Sequence, residues 1–314
     1  MAGAPIIIGS SRSDVGLPAG MAILRAGGSA IDAVEAALRC CEDDVEDHYV
    51  GTGGLPNAQG VVELDAAVMV GSTRAFGGVA AVRGFPHPIS IARAVLEQLP
   101  QHCLLVGEGA ELFADEHGFT RAELLTEEAA RLYRASLGVA NGASPATTET
   151  PESEAYRYTA LELVRRLGPH DGPWGTIDVI ALDEDGELVT GVSTSGFPWK
   201  YPGRVGDSPL PGAGLYCDVR HGAAACTGRG EMTMRIVGAR LVVDALAEGL
   251  APTAACRRMV AEAATLDDPF ASDVRAICLT PHGGHGAAAL RPNATYHVMT
   301  ASSDVVETWH AEAP

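Results

Sequence analysis

The chain has 314 residues, 46% of them hydrophobic, and a formal net charge of −18 at pH 7. This length fits one large domain or two ordinary ones with a sizeable core. The negative charge argues against nucleic acid and anionic membrane surfaces as partners, since both require a basic face. No apolar run reaches the ~18 residues of a membrane span. The first residues lack the basic region of a signal peptide, so we expect a cytoplasmic protein.

The first half of the chain predicts alternating strands and helices. A strand at 6–8 precedes a helix at 21–25, and Ser29 then begins a second helix with Asp32 as its capping-box partner. Further strands are predicted at 61–70, 75–82 and 103–106, and further helices at 89–99 and 108–117. The spacing of these strands favours antiparallel hairpins within an α/β arrangement.

The middle of the chain predicts a mobile linker at about 140–154, rich in Ser, Thr, Pro and Gly. A helix at 154–167 follows, and an apolar run then begins abruptly at Thr176 and continues to Leu182, which is typical of a buried strand. A glycine–threonine pair before a strand is most often simple punctuation. A linker that leads into a buried strand would, however, make sense if the chain were cut before Thr176.

The second half predicts a strand at 187–193, paired to the preceding strand through the turn at 183–186. A loop at 203–214 is rich in proline and glycine. Short strands are expected at 215–219 and 223–226, and Thr227-Gly228 is expected to open a helix that runs to about Glu248. A helix at 251–264 and strands at 276–280, 286–290 and 296–300 complete the chain.

Thr176 is the candidate nucleophile. A neutral threonine hydroxyl is weak and needs a base, and the sequence shows no Ser-His-Asp arrangement to supply one. If the bond between Gly175 and Thr176 is cleaved, however, the new α-amine of Thr176 has a pKa of about 7.7–8.0 and can act as its own base.

Three other stretches carry residues suited to chemistry on an amide. Thr227-Gly228 combines a hydroxyl with a backbone N–H that could stabilise an oxyanion, although an ordinary threonine N-cap is the simpler interpretation. Arg204 and Asp207 could bind the α-carboxylate and α-ammonium groups of an amino acid, or could form a surface salt bridge with each other. Thr194, at the end of the neighbouring strand, could hydrogen-bond Thr176 or simply belong to a turn.

No cofactor or metal is expected. The seven cysteines are odd in number and form no Cys-x-x-Cys motif, so a disulfide framework or a zinc site is disfavoured. The pair His282 and His285 is typical of a hairpin turn.

Taken together, these stretches resemble glycosylasparaginase (aspartylglucosaminidase), a threonine N-terminal-nucleophile (Ntn) hydrolase. The resemblance covers nearly the whole chain and rests most specifically on the loop at 203–214. The matching motifs are Gly27 to Glu35, Val50 to Asn57, Leu104 to Glu108, Gly175 to Asp183, Gly191 to Gly196, Gly203 to Gly214, and Cys226 to Glu231.

The resemblance implies a four-layer αββα fold over a single domain, 1–314, of two mainly antiparallel sheets between helix layers. It also implies self-cleavage into fragments 1–175 and 176–314, a homodimer of cleaved protomers, and hydrolysis of the side-chain amide of an asparagine whose α-groups are free. The implied catalytic residues are Thr176, Thr194, Thr227 and Gly228. The implied substrate-binding residues are Arg204, Val205, Gly206, Asp207, Arg229 and Gly230.

The sequence departs from the glycosylasparaginase pattern at three places. Gly175 stands where glycosylasparaginases usually have an aspartate before the threonine, whereas the related plant-type asparaginases and isoaspartyl peptidases have Gly-Thr there, as this chain does. Ser10-Ser11-Arg12 stands where a substrate-contacting tryptophan is usual, and Tyr49 replaces a serine. The last two changes lie where the leaving group or the pocket wall is expected.

Two alternatives therefore stand beside a self-processing asparaginase-type amidohydrolase. The first is an isoaspartyl peptidase or an amidase for another β-aspartyl amide. The second is an uncleaved, inactive relative that serves as a binding protein.

Overall fold

The computed structural model describes residues 4–140, 159–167, 175–270 and 272–313. The predicted linker at 140–154 lies, apart from Ala140, outside the described residues, as does the first part of the helix predicted at 154–167. Within these ranges no helix combines the length and the apolar character needed to cross a membrane.

The strands form two sheets. The large sheet has the order β12-β11-β1-β5-β6-β2-β3-β4, and the small sheet has the order β10-β9-β8-β7. All neighbours pair antiparallel except β3 and β4, which are parallel. The strands are β1 (Ile6–Ser10), β2 (Leu64–Val70), β3 (Phe76–Val82), β4 (Leu104–Val106), β5 (Ile177–Leu182), β6 (Leu188–Thr194), β7 (Leu215–Asp218), β8 (Gly222–Gly228), β9 (Val274–Leu279), β10 (His285–Ala289), β11 (Thr295–Thr300) and β12 (Glu307–His310).

Helices cover the outer face of each sheet. The first three pack on the large sheet, and the last two pack on the small sheet. The helices in the described ranges are α1 (Leu17–Arg25), α2 (Ala30–Glu42), α3 (Pro88–Gln98), α4 (Gly107–Glu116), α5 (Glu127–Ala140), α6 (Ala160–Leu167), α7 (Gly230–Ile236), α8 (Gly238–Ala247) and α9 (Pro252–Ala264).

Side-chain alternation along the strands produces the layers. Successive residues of a strand point to opposite faces of its sheet. In β5, Val179 and Ala181 therefore pack against the first helix layer, while Ile180 and Leu182 pack between the sheets. The same alternation in β8 sends Ala225 between the sheets, and Cys226 towards the second helix layer. The predicted αββα sandwich of mainly antiparallel sheets is confirmed.

The helix predicted to start at Thr227 is wrong. Thr227 and Gly228 are the last residues of β8, where they pair with Arg275 and Val274 of β9. The helix begins only at Gly230, and it is interrupted at Val237, whose φ of 55° is left-handed. Pairing with β9 extends β8 through Gly228, because it gives the backbone N–H and C=O groups of these residues hydrogen-bond partners. In the first turn of a helix the N–H groups would have no partner within the helix.

Strand ends bring the candidate residues together. β5 lies between β1 and β6 and runs antiparallel to both. The beginning of β5 is therefore adjacent to the end of β1 at Ser10 and to the end of β6 at Thr194. Thr176 immediately precedes β5, a central strand of the large sheet. It therefore lies where the ends of the central strands meet, facing the end of β8.

Candidate active site

Thr176 is buried in a cluster of hydroxyl groups. Its side chain lies 3.1 Å from the hydroxyl of Ser208, measured between the two Oγ atoms. The Ser10 hydroxyl donates to the carbonyl oxygen of Thr176 at 3.2 Å and accepts the backbone N–H of Asp178 at 2.9 Å. Ser10 thus fixes the backbone on both sides of Ile177.

Thr194 is directed at the bond expected to be cleaved. Its hydroxyl donates to the carbonyl oxygen of Gly175 at 3.3 Å and accepts the N–H of Gly196 at 2.9 Å. The direct Thr194–Thr176 bond considered from the sequence is not the contact that forms, and Ser208 takes that place. Ser208 lies in the loop at 203–214, directly before Pro209. Nothing in the sequence distinguishes this serine as a partner of Thr176, apart from its place in the loop motif.

Arg204 and Asp207 do not pair with each other. Arg204 instead donates from Nε and Nη2 to the two carboxylate oxygens of Glu231 at 3.0 and 2.9 Å. Its guanidinium lies over the ring of Phe197, 5.0 Å from the ring centroid. Arg229 also pairs with Glu231, at 2.9 Å. This network holds Arg204 in one orientation, and its side chain remains 17% exposed.

Asp207 is buried beside Arg204 and accepts a hydrogen bond from the Thr233 hydroxyl at 2.6 Å. Burial raises the pKa of Asp207 to about 6, against the lowering effects of the Thr233 bond and of the Arg204 charge. The carboxylate is therefore ionised at neutral pH, and within the protein its negative charge is stabilised mainly by the Thr233 hydrogen bond and the Arg204 charge.

Two glycines leave room for this pair of charged groups. A Cβ at Gly206 would lie 2.9 Å from Nη1 of Arg204, and a Cβ at Gly230 would lie 2.6 Å from Oδ1 of Asp207. Val205 lies between Arg204 and Gly206 in the chain and is partly exposed. The glycines predicted to bind substrate therefore shape the space around the two charged side chains.

Thr227 and Gly228 lie on the opposite side of Thr176, at the end of β8. The Thr227 hydroxyl donates a short hydrogen bond to Oδ2 of Asp178. Gly228 has a φ of 114°, and a Cβ there would lie 2.1 Å from the carbonyl oxygen of Asp273. A side chain is therefore excluded at position 228.

Two cavities meet at Thr176. The first is a cleft of about 10 Å³ that brings together Thr176, Thr194, Arg204, Asp207 and Gly228. The second has a volume of about 300 Å³, and both cavities are lined by Gly175, Thr176 and Gly228. The second cavity also includes Ser11, Arg12, Tyr49, Asp273, Arg275 and Arg291 in its wall.

Most of the residues where the sequence departs from glycosylasparaginase, namely Ser11, Arg12, Tyr49 and Gly175, thus line the second cavity. Arg12 donates to Asp47 at 2.8 Å, and its guanidinium lies 4.9 Å from the ring centroid of Tyr49. Arg275 pairs with Asp273 and donates to the Ser11 hydroxyl at 3.3 Å. In the described part of the chain no cluster of His, Cys, Asp and Glu has the arrangement of a metal site.

The chain is similar to known proteins along most of its length. A family model described as asparaginase matches residues 14–308. The chain is 35% identical over 291 residues to an N(4)-(beta-N-acetylglucosaminyl)-L-asparaginase of Elizabethkingia miricola, covering 91% of this chain and 78% of that protein. It is 34% identical over 275 residues to the mouse protein of that name, covering 84% of this chain and 78% of the relative.

A second group of relatives has a different name. The chain is 38% identical over 256 residues to an isoaspartyl peptidase of Salmonella typhimurium, covering 77% of this chain and 73% of the relative. The chain therefore belongs to the asparaginase family and is an amidohydrolase of the asparaginase type.

Proposed function

We propose that this protein cleaves its own chain before Thr176 and then hydrolyses the side-chain amide of asparagine derivatives whose α-amino and α-carboxyl groups are free. One observation carries the proposal. A single cleft joins the Thr176 hydroxyl to Arg204 and Asp207, a cation and an anion suited to the two charged groups of a free amino acid. The nucleophile and the recognition groups therefore share one small space.

Self-cleavage begins with attack of the Thr176 hydroxyl oxygen on the carbonyl carbon of Gly175. The C–N bond breaks, the nitrogen takes up a proton, and an ester links Gly175 to the threonine oxygen. Water then hydrolyses the ester to leave a carboxylate on Gly175 and a free amine on Thr176. Thr194 supports this step, since its hydroxyl donates to the carbonyl oxygen on which negative charge develops.

Detachment of Gly175 from Thr176 also prepares the site for substrate, because the new chain end at Gly175 can move out of the cleft. Gly175 lines both cavities at Thr176, and the first cavity has only about 10 Å³ while Gly175 remains attached. A volume of this size holds about one water molecule. Departure of the 1–175 end would enlarge the cleft and would join it to the second cavity.

Hydrolysis then uses the new α-amine as the base. The amine removes the proton of the Thr176 hydroxyl, whose oxygen attacks the substrate amide carbon. The Thr227 hydroxyl and the Gly228 N–H stabilise the oxyanion. The C–N bond breaks with return of the proton to the leaving nitrogen, and water releases the acyl group from Thr176 as a carboxylate.

Arg204 and Asp207 hold the substrate in this scheme. Arg204 binds the α-carboxylate and Asp207 binds the α-ammonium group, with Glu231 and Arg229 fixing the orientation of Arg204. Arg204 donates from Nε and Nη2 to Glu231. The N–H groups of Arg204 that do not bond to Glu231 are the ones that bind the substrate. Val205, Gly206 and Gly230 shape the cleft around these two side chains.

Denaturing mass spectrometry tests self-processing. We expect fragments 1–175 and 176–314 in the wild-type protein. Thr176→Ala should remain an intact chain without amidase activity, whereas Thr176→Ser, which keeps a hydroxyl, should retain some cleavage. A wild-type chain that stays at the full 32.4 kDa would reject self-processing and favour the inactive binding protein. Amidase activity in Thr176→Ala would reject the nucleophile.

A carboxylate-bearing leaving group is the second candidate, favoured by the charge of the second cavity. Three arginines and one aspartate line it, in a protein with a net charge of −18. A sugar leaving group has no charge to match these arginines, whereas the amino acid released from a β-aspartyl peptide carries an α-carboxylate. This observation supports the isoaspartyl peptidase alternative.

A substrate panel separates these activities. Asparagine, a β-aspartyl dipeptide and N-acetylglucosaminyl-asparagine should be compared by kcat/KM with wild-type protein and with Arg275→Gln. Arg220→Gln is a matched control, because Arg220 also pairs with an aspartate, Asp218, but its side chain is exposed and does not line the second cavity. A loss confined to the dipeptide would support a carboxylate-bearing leaving group, and equal losses on all three substrates would reject it.

A homodimer of cleaved protomers and a cytoplasmic location are also proposed. The dimer rests on the family resemblance. Light scattering of the cleaved protein would test the dimer, and a monomer at micromolar concentration would reject it. Fractionation of cells that express the full chain would test the location.

A further inference from the structure

Asp178 is a buried carboxyl group next to the reaction site that has no role in the scheme above. It lies two residues after Thr176, on the face of β5 directed at the small sheet, and its side chain is 1% exposed. Oδ2 accepts the hydrogen bond from Thr227, while Oδ1 has no hydrogen-bond partner among the described residues. An ionised carboxylate is rarely buried in this way without a cation.

The groups around Asp178 disfavour its negative charge. Burial is the main reason that its pKa is raised well above the usual value, and the charge of Asp207 adds to it. The hydrogen bond to Thr227 and the nearby Ser10 hydroxyl of β1 act in the opposite direction. No described cation forms a salt bridge with Asp178. Arg275, opposite Thr227 in β9, is paired with Asp273 instead.

The remaining titratable groups nearby are Cys226 and the amine of Thr176. Cys226 precedes Thr227 in β8, and its own thiol pKa is raised well above the usual value, first by burial and then by Asp207 and Asp178. Cys226 is therefore neutral. The α-amine created by cleavage must be neutral before it can accept the Thr176 proton, so the resting enzyme that is ready to react places no cation beside Asp178.

The charge state of Asp178 decides where Thr227 can donate. A hydroxyl has one proton to donate and two lone pairs to accept with, and an ionised carboxylate can only accept. If Asp178 were ionised, the short bond would consume the single Thr227 proton and leave none for the oxyanion. A protonated Asp178 can donate through Oδ2 to the Thr227 oxygen, which frees the Thr227 proton.

We infer that Asp178 is a positioning residue that stays protonated during catalysis and donates to Thr227, so that the Thr227 hydroxyl points its own proton at the oxyanion. The inference rests on the proposed function, because it assigns Thr227 to the oxyanion site. It also removes a negative charge from beside the place where the oxyanion forms.

This arrangement predicts the pH profile of the cleaved enzyme. As pH rises, kcat first increases while the α-amine, with a pKa of about 7.7–8.0, loses its proton. It then decreases once Asp178 ionises, since Thr227 turns its proton to the new carboxylate. Asparagine at position 178 would still donate an N–H to Thr227 and has no proton to lose, so the second change should be absent.

The kinetic test compares Asp178→Asn and Asp178→Ala, with Asp218→Asn as the control for replacing a buried aspartate that lines neither cavity. We expect Asp178→Ala to lower kcat on the order of 100-fold with little change in KM, as for loss of one oxyanion donor. Asp178→Asn should restore most of that loss and should lack the alkaline decrease. Equal losses in both variants, in samples shown by mass spectrometry to be fully cleaved, would overturn the inference.

Infrared spectroscopy gives a readout that does not require activity or a position-178 variant. Wild-type protein and Thr176→Ala, both labelled with ¹³C at the aspartate carboxyls, should show the C=O band of a protonated aspartate at pH 8. Asp207, with a pKa of about 6, is ionised there, and Asp47, whose pKa burial also raises, is paired with Arg12. Absence of the band in both samples would overturn the inference, whereas failure of the wild-type protein to hydrolyse any amide of the panel would reject the proposed function instead.

Discussion

Replacement of Asp207 by asparagine should stabilise the fold while it weakens substrate binding. The carboxyl group is buried and accepts a hydrogen bond from Thr233, which asparagine can also satisfy through its oxygen. Burial raises the pKa of Asp207 from 3.8 to about 6. The folded state therefore holds this proton more tightly than the unfolded state does, and stability falls as pH rises between these two values.

The size of the effect follows from this difference in pKa. Between 3.8 and about 6, at about 1.4 kcal/mol per pH unit, the ionised carboxylate costs roughly 3 kcal/mol above pH 6. Asp207→Asn removes that penalty, and it should raise the thermal midpoint at pH 8 by roughly 5 °C. The gain should vanish near pH 4, where the wild-type group is protonated in the folded state.

Substrate binding should change in the opposite direction. An ammonium–carboxylate hydrogen bond contributes about 1.5–3 kcal/mol, so kcat/KM of Asp207→Asn should fall roughly 10- to 150-fold at pH 8. For the wild-type enzyme this recognition should also weaken below about pH 6, as Asp207 becomes protonated.

The assay combines thermal unfolding at pH 4 and pH 8 with steady-state kinetics on asparagine. Asp218→Asn is the matched control, because hydrogen bonding to Arg220 lowers the pKa of Asp218 to about 2. Ionisation of Asp218 therefore stabilises the folded state, whereas ionisation of Asp207 destabilises it. That variant should gain no stability at pH 8. A pH-independent midpoint difference for Asp207→Asn would refute the buried-charge argument, and unchanged kcat/KM would refute the ammonium-binding role.

Two further substitutions test the geometry of the site. Gly228→Ala should destabilise the protein by more than about 2 kcal/mol, because its Cβ would lie 2.1 Å from the Asp273 carbonyl oxygen at a φ of 114°. Gly203→Ala, at a φ of 80° with no atom within 4 Å, should lose only about 1 kcal/mol, and equal losses in chemical denaturation would contradict the steric argument. Ser208→Ala should slow self-cleavage about tenfold, since the Thr176 hydroxyl loses its 3.1 Å partner. Time-resolved mass spectrometry would measure this rate, and a wild-type rate would show that the contact does not orient Thr176.

The layered fold could be predicted from the sequence because its signals are local. A continuous apolar run marks β5, and Ser29 with Asp32 marks the start of α2, as the structure confirms. The strand β12 and the helix α5 were not predicted. β12 is exposed along its length and lacks an apolar run like that of β5.

Contacts between distant segments could not be predicted in the same way. The end of β8 depends on pairing with β9, about 50 residues later in the chain, so the helix start was placed too early. The partner of Thr176 depends on how the loop at 203–214 folds over the sheet edge, which favours Ser208 over Thr194. The Arg204–Glu231 pair likewise joins a loop to a helix.

The strand order has a consequence for folding after cleavage. β1, from the 1–175 part, lies between β11 and β5 of the 176–314 part, and β6 pairs with β2. A cut before Thr176 therefore leaves two chains interleaved in one hydrogen-bonded sheet, and they should remain together in the absence of denaturant. Once unfolded, however, the cut protein would have to reassemble in a second-order reaction. Dilution should slow its refolding but leave that of an uncut Thr176→Ala chain unaffected. The proposed cleavage would therefore make recovery of the active enzyme from the unfolded state depend on protein concentration.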